Sequence, residues 1–141
     1  MSAAVHVFAY GTLTFPQVME RVTGRLFEST PAILQGYARS HLRGETFPGL
    51  IEEATSATDG LLWLDLDAES LSTIEGFEGD WYERRAVQVV VGEQPRDAVT
   101  FVLKREQRHR VSRRRWIRSR FEQRYLQRFL LDCSNGPKAG G

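Results

Sequence analysis

Several short segments of the chain have hydrophobic patterns typical of β-strands, with alternating positions in the first and a nearly continuous apolar run in residues 61–66. The first segment covers residues 5–10 and ends at Gly11; the others cover 31–42 (interrupted at Gly36), 61–66, 83–91 and 98–104. The turn-forming sequences FPG (47–49) and GEQPRD (92–97) and the polar run 52–60 are predicted to connect them. The pattern therefore indicates about six strands.

Apolar residues recur at helical spacing in three other segments. Pro16 suits a first helical turn, and the apolar positions after it predict a helix through about residue 26. Asp67 is predicted to cap a short helix over residues 68–77. Ser112 is predicted to cap a long final helix with one apolar stripe. That stripe consists of Ile117, Phe121, Tyr125 and Phe129.

Strands and helices do not alternate regularly, which favours an α+β fold over a doubly wound one. We expect a mixed, barrel-like sheet with flanking helices in a single domain over residues 1–133. Residues 134–141, SNGPKAGG, are expected to form a disordered tail. A chain of 141 residues has the usual length of one compact domain.

Composition excludes several classes of protein. No apolar run approaches the roughly 18 residues of a membrane span, and no basic stretch precedes the first apolar segment, so we expect no membrane partner and no signal peptide. Cys133 is the single cysteine, which excludes an intrachain disulfide and favours a cytoplasmic location. His6, His41 and His109 are scattered, so we expect no metal site.

The formal net charge of +1 conceals a strong asymmetry. Residues 104–141 carry twelve Lys/Arg against three acidic residues, and residues 1–103 carry seven against fifteen. One interpretation is a module that binds nucleic acid or another anionic partner, with Trp116 and Tyr125 available for stacking. The regular apolar stripe disfavours this, because it indicates a helix packed on the core with solvated arginines. The arginines could also complement the acidic body within one chain or across a homodimer.

Candidate catalytic residues are few. Cys133 has no evident base nearby, and no histidine lies in a loop suited to a Ser/His/Asp site. Acidic and aromatic residues are densest in TIEGFEGDWYERR, residues 73–85. A carboxylate between aromatic side chains is partly desolvated, which suits proton transfer. Glu78, between a phenylalanine and a glycine, is the best candidate; the alternative is that these acids only solvate a turn.

Four segments together resemble a known family. VFAYGTL (7–13), FPGL (47–50), GLLWL (60–64) and FEGDWYERR (77–85) are similar to the γ-glutamylcyclotransferase superfamily. They most resemble its avirulence-induced-protein-like branch, which includes γ-glutamylamine cyclotransferases. The resemblance spans roughly residues 5–131, and the order YGTL before F-E-G-x-x-Y-x-R is more specific than either motif alone.

The resemblance implies a mixed α/β barrel with helices outside and a role for each matching residue. Glu78 corresponds to the family's catalytic glutamate, and Tyr82 to a tyrosine that lines the pocket. The loop that holds the γ-glutamyl group through backbone N–H groups corresponds to Tyr10, Gly11, Thr12 and Leu13. Without the resemblance, both tyrosines could be core aromatics and Thr12 could cap a turn.

The reaction implied by the resemblance needs no cofactor. The α-amine of a γ-glutamyl compound attacks its own γ-carbonyl, closes 5-oxoproline and releases an amine. Glu78 would act as general acid/base, and the loop amides would bind either the developing oxyanion or the α-carboxylate. Non-catalytic metabolite binding and hydrolysis of a related amide remain alternatives.

Three features depart from the family's pattern. Glu75 stands where an aspartate is usual, and Ile74 where leucine is more common. Neither residue takes part in the implied chemistry. The arginine-rich segment 104–128 is heavier than is usual and leaves the leaving amine and any partner open.

Overall fold

The computed structural model describes residues 4–133, and its strands form one six-stranded mixed sheet with helices packed against it. The strands are β1 (Val5–Ala9), β2 (Ser29–Leu42), β3 (Pro48–Leu66), β4 (Tyr82–Val91), β5 (Gln94–Leu103) and β6 (Val111–Arg115). The helices are α1 (Pro16–Thr23), α2 (Ala68–Glu78), α3 (Arg118–Arg124) and α4 (Leu126–Asp132), with 3₁₀ helices at Thr12–Thr14 and Arg105–Arg110. The tail predicted for residues 134–141 lies outside the described residues.

The strand pairings nearly close the sheet into a barrel. The order is β3-β1-β5-β4-β2-β6, and β2 also pairs with β3. A circuit therefore runs through five strands and returns to its start, with β6 added at the edge of β2. Two of these strand pairings consist of a single residue pair each. β1 pairs in parallel with β5 at Val7 and Val99, and β2 pairs with β4 at Ile33 and Val90. The predicted α+β fold with a mixed, barrel-like sheet is confirmed.

The polar run 52–60 is part of a strand, and its prediction as a connection was wrong. It lies within β3, whose backbone pairs with β2 from Tyr37↔Glu52 to Ala32↔Gly60. The two long strands satisfy each other's backbone hydrogen bonds, so the segment needs little apolar surface of its own. β3 already begins at Pro48, so the turn predicted at 47–49 falls earlier, at residues 43–44. The predicted break at Gly36 is a bulge in a continuous strand, and φ is +85° there.

Two other predicted boundaries shift by a few residues. β5 begins at Gln94, which pairs with Val91, so the turn predicted over 92–97 is much shorter. Helix α1 ends at Thr23 because Gly24 adopts a left-handed conformation, with φ of +74°. Leu26, which the predicted helix would have included, lies beyond its end and is 66% exposed.

The predicted long helix from Ser112 is also wrong. Ser112 lies in β6, which pairs with the edge of β2, and its Oγ lies 2.9 Å from His41 Nδ1. Backbone pairing with a free sheet edge therefore outweighs the helical spacing of this segment. The helical region that follows is divided at Tyr125, where φ is −127°. Of the predicted stripe, Phe121 is buried, whereas Ile117 and Tyr125 are 46% and 40% exposed.

Alternate side chains of β1 enter two hydrophobic clusters. Val7 and Ala9 face the larger cluster beneath the helices, and Phe8 and Tyr10 face the smaller one. Asp67 caps α2 as predicted, because its side chain accepts a hydrogen bond from Ser70 N at 3.2 Å. Ala9 at the end of β1 and Phe77 near the end of α2 both lie in the larger cluster. Within residues 4–133, no helix is both long and apolar enough to cross a membrane.

Candidate active site

The loop that follows β1 is a buried 3₁₀ turn. Tyr10, Gly11, Thr12 and Leu13 are all buried. Thr14 donates to Gly11 O through both its backbone N–H (3.0 Å) and its hydroxyl (2.6 Å), and Phe15 N donates to Thr12 O at 3.2 Å. The carbonyl groups are thus used to close the turn. The N–H groups that open a helical turn have no acceptor within it, so they are suited to hold an anionic or carbonyl oxygen.

Side chains from distant parts of the sequence hold this loop. Trp63 Nε1 donates to Leu13 O at 2.9 Å. Arg118 donates to the hydroxyl and carbonyl oxygens of Thr14, at 2.9 and 3.2 Å. Arg39 donates to Tyr10 O at 3.0 Å and forms a salt bridge with Asp59 at 2.9 Å. These contacts fix the backbone on both sides of the turn.

Glu78 occupies the last position of α2 and is 1% exposed. The next residue, Gly79, has φ of 82° and ψ of −168°, a conformation that is essentially restricted to glycine. This glycine turns the chain sharply into β4 directly after the carboxylate. A buried carboxylate is rare, and the C-terminal end of a helix carries partial negative charge. A carboxylate at this buried helix end is therefore unusual.

Two buried tyrosines lie within the electrostatic range of Glu78. Tyr10 donates its hydroxyl hydrogen to Phe101 O at 2.6 Å, and Tyr82 donates its own to Pro48 O at 2.7 Å. Burial raises the pKa of Tyr10 well above its ordinary value, the charges of Tyr82 and Glu78 add to the shift, and Arg39 opposes it. Burial likewise raises the pKa of Tyr82, and the charges of Glu78 and Glu45 add to it.

The other acidic residues of the predicted segment 73–85 lie in different surroundings. Glu75 is exposed and forms a salt bridge with Arg84 at 2.7 Å; Glu83 is exposed and pairs with Arg85 at 2.9 Å. Asp80 is exposed too. Glu78 alone among these four acids is buried, as its flanking residues predict.

Tyr10, which begins the loop after β1, thus lies within electrostatic range of Tyr82 and Glu78. Sequence reasoning missed Arg39 and Arg118, because surface arginines are common and these two lie 29 and 104 residues from their partners in the loop. Pro48, whose carbonyl anchors Tyr82, was noted only as part of a motif.

Other candidate chemistry has less support. Burial raises the pKa of the Cys133 thiol to about 11, which makes it a poor nucleophile. Across residues 4–133, His, Cys, Asp and Glu side chains form no group of three or more that could hold a metal ion.

The near-closed mixed sheet and the buried glutamate beside a YGTL turn define a protein of the γ-glutamylcyclotransferase type. The family model described as "Gamma-glutamyl cyclotransferase, AIG2-like" matches residues 7–118. The chain belongs to this family, as its motifs predict.

Known relatives and structures agree with this assignment. The chain is 28% identical over 89 residues to AIG2-like protein C of Arabidopsis thaliana, which covers 63% of this chain and 52% of the relative. The matched part of the chain thus spans about half the length of this curated relative. A solution structure of an Arabidopsis thaliana protein covers 93% of this chain and 82% of its own, with TM-score 0.72 and 24% identity. A structure titled "Gamma-glutamyl cyclotransferase" covers 72% and 67%, with TM-score 0.60 and 17% identity. Both structures support the fold.

Proposed function

We propose that this protein is a γ-glutamylcyclotransferase that converts the γ-glutamyl group of an amino acid or amine conjugate to 5-oxoproline and releases the free amine. The observation that carries the proposal is the buried Glu78 carboxylate, within electrostatic range of Tyr10 and Tyr82, of which Tyr10 begins the buried loop after β1. Membership of the family supports it. The unusual burial of a carboxylate at this position is explained if Glu78 serves the reaction.

In this reaction the protein does not need to form a covalent bond with the substrate. The substrate's α-amine attacks the γ-carbonyl carbon, a C–N bond forms within a five-membered ring, and the original amide C–N bond breaks. Because nucleophile and electrophile are tethered, orientation can contribute on the order of 7 kcal/mol or more to lowering the barrier. This accounts for a site built without a nucleophilic side chain.

Proton transfer is the task assigned to Glu78. The α-amine has a reference pKa of about 8, so it is largely protonated at neutral pH and must lose a proton before it attacks. The two protons that this nitrogen loses balance the two that the leaving amine gains. The raised pKa values of Tyr10 and Tyr82 keep both phenols neutral, so neither can serve as a base. Glu78 is the remaining group of the three that can exchange protons.

The loop is assigned to charge stabilisation. Negative charge develops on the γ-carbonyl oxygen in the tetrahedral state, and each preorganised N–H donor is worth roughly 3 kcal/mol there. The N–H groups of Gly11 to Leu13 are the proposed donors, either to this oxygen or to the α-carboxylate. Arg39 and Arg118 act as positioning residues, because they hold the backbone on which these donors lie.

The test is turnover of a panel of γ-glutamyl amino acids and γ-glutamyl amines, with 5-oxoproline and the released amine both quantified. We expect one molecule of amine for each 5-oxoproline formed from at least one member. Release of glutamate in place of 5-oxoproline would identify a hydrolase. Binding of a panel member without turnover would identify a metabolite-binding protein of the same fold, and either result would refute the proposal.

A further inference from the structure

An arginine-rich cleft that Glu78 does not line lies between β2, β6 and α3. It encloses about 130 Å³ and is open to solvent on one side, so a ligand would lie partly outside it. Its basic lining consists of Arg114, Arg115, Arg120 and Arg124, with His41. Its remaining lining includes Glu45 and the aromatic residues Trp116, Phe121 and Tyr125. Four guanidinium groups therefore face one carboxylate.

The arginines of the cleft belong to the arginine-rich segment 104–128, in which most arginines form no salt bridge within residues 4–133. Within residues 4–133, the arginines that form salt bridges with acidic side chains are Arg25, Arg39, Arg84, Arg85 and Arg128. None of the four cleft arginines forms one. Arg120 and Arg124 are four residues apart on α3, so the two like charges are neighbours on the helix surface. Four of the arginines of this basic segment thus line one cleft, and salt bridges within residues 4–133 do not neutralise them.

The aromatic side chains of the cleft differ in exposure, because Trp116 is buried in the core and Tyr125 is partly exposed to solvent. Trp116 is 5% exposed, donates to Thr46 O at 2.7 Å, and packs on Phe121 with 5.7 Å between ring centroids. This apolar wall lowers the local dielectric constant and strengthens charge interactions beside it. Tyr125 is 40% exposed, so one part of its ring is available to stack with a ligand.

We propose that this cleft binds a small molecule that carries a diphosphate or larger phosphate group attached to a planar ring. Guanidinium groups match phosphate oxygens in pairs of parallel hydrogen bonds, and the lining's excess of three positive charges fits a multiply charged anion. Arginines on β6 and α3 would hold the phosphates, and Tyr125 would stack with the ring. The proposal concerns a cleft that Glu78 does not line, and it does not depend on the cyclotransferase activity.

The test compares binding of pyrophosphate, adenosine triphosphate and citrate by titration calorimetry at about 0.15 M salt, where long-range attraction is screened. We expect both phosphate compounds to bind, adenosine triphosphate more tightly, and citrate at least about tenfold more weakly.

The double variant Arg120→Gln/Arg124→Gln should weaken phosphate binding by about tenfold or more, because two charge-assisted contacts are removed. The matched control is Arg105→Gln/Arg108→Gln, which removes the same charge from exposed positions outside the cleft and should change affinity less than about twofold. Thermal melts establish that both variants are folded.

A second variant tests the stacking part. Tyr125→Ala should reduce adenosine triphosphate affinity to about that of pyrophosphate and leave pyrophosphate binding unchanged. Equal losses in the two double variants would show diffuse electrostatic attraction and overturn the proposal. So would the absence of phosphate binding, or citrate binding as tightly as pyrophosphate. A single-stranded oligonucleotide that binds more tightly than adenosine triphosphate would assign this face to nucleic acid instead.

Discussion

Gly60 lies where β3 passes closest to β1, and Gly60→Ala is predicted to destabilise the fold severely. A β-carbon built at this position would lie 2.1 Å from Ala9 O and 2.9 Å from Phe8 Cζ. Ordinary carbon–oxygen contacts begin at about 3.3 Å, so the strands would have to separate by about 1 Å. Ala9 O belongs to the backbone and cannot rotate away as a side chain can.

The expected loss follows from this displacement. Overpacking of a core costs about 1–3 kcal/mol, and a clash with backbone belongs at or above the upper end. A loss of about 3 kcal/mol in a domain of this size lowers the melting temperature by about 10 °C. Because Ala9 directly precedes Tyr10, the displacement would also disturb the loop proposed to bind the substrate.

Chemical denaturation with thermal melts as a second measurement provides the assay. The matched control is Gly76→Ala in the interior of α2, where an added β-carbon would meet no other atom within 4 Å. It should stabilise the protein by about 0.5–1 kcal/mol, because alanine restricts the unfolded chain and favours the helix. Equal unfolding midpoints for the two variants would refute the claim that β1 and β3 are in close contact at Gly60.

Three further predictions concern single side chains. Tyr82→Phe removes the donor to Pro48 O and should lower the free energy of unfolding by about 1–2 kcal/mol in denaturant titrations; an unchanged value would contradict the buried hydrogen bond. The hydrogen bond from Ser70 lowers the pKa of Asp67, so its contribution should be full above about pH 5 and lost as pH falls through that lowered value. Parent and Asp67→Ala stabilities should therefore converge in acid, and a gap that is constant with pH would contradict the capping interaction. The Cys133 thiol, with a pKa of about 11, should react with a disulfide reagent at about pH 8 roughly tenfold more slowly in the folded protein than in denaturant, because fewer thiolates form but each is more nucleophilic; equal rates would contradict its partial burial.

The sequence predicts those parts of the fold and site that depend on neighbouring residues. The strand before Gly11, the cap at Asp67 and the inward position of Glu78 each follow from local spacing or from flanking residues. The structure confirms all three features. The family resemblance added the fold, because it joined two motifs that are individually weak.

The parts that could not be predicted depend on partners far away in the chain. Residues 52–60 are polar enough for a connection and form a strand only because β2 lies beside them. Ser112 has the local signals of a helix cap, yet the free edge of β2 makes its segment a strand. Arg118 reaches Thr14 across 104 residues, and no local pattern distinguishes it from the solvated arginines around it.

The role proposed for Glu78 is to transfer protons in the formation of 5-oxoproline. The most direct measurement compares Glu78→Gln with Glu75→Gln, an equal change of charge one helical turn away at an exposed residue paired with Arg84. With the best substrate of the panel, Glu78→Gln should lower kcat by at least about 100-fold, and Glu75→Gln should lower it less than about threefold. Circular dichroism and melting curves would establish that both variants are folded. A folded Glu78→Gln protein that forms 5-oxoproline at the parent's rate would contradict the claim.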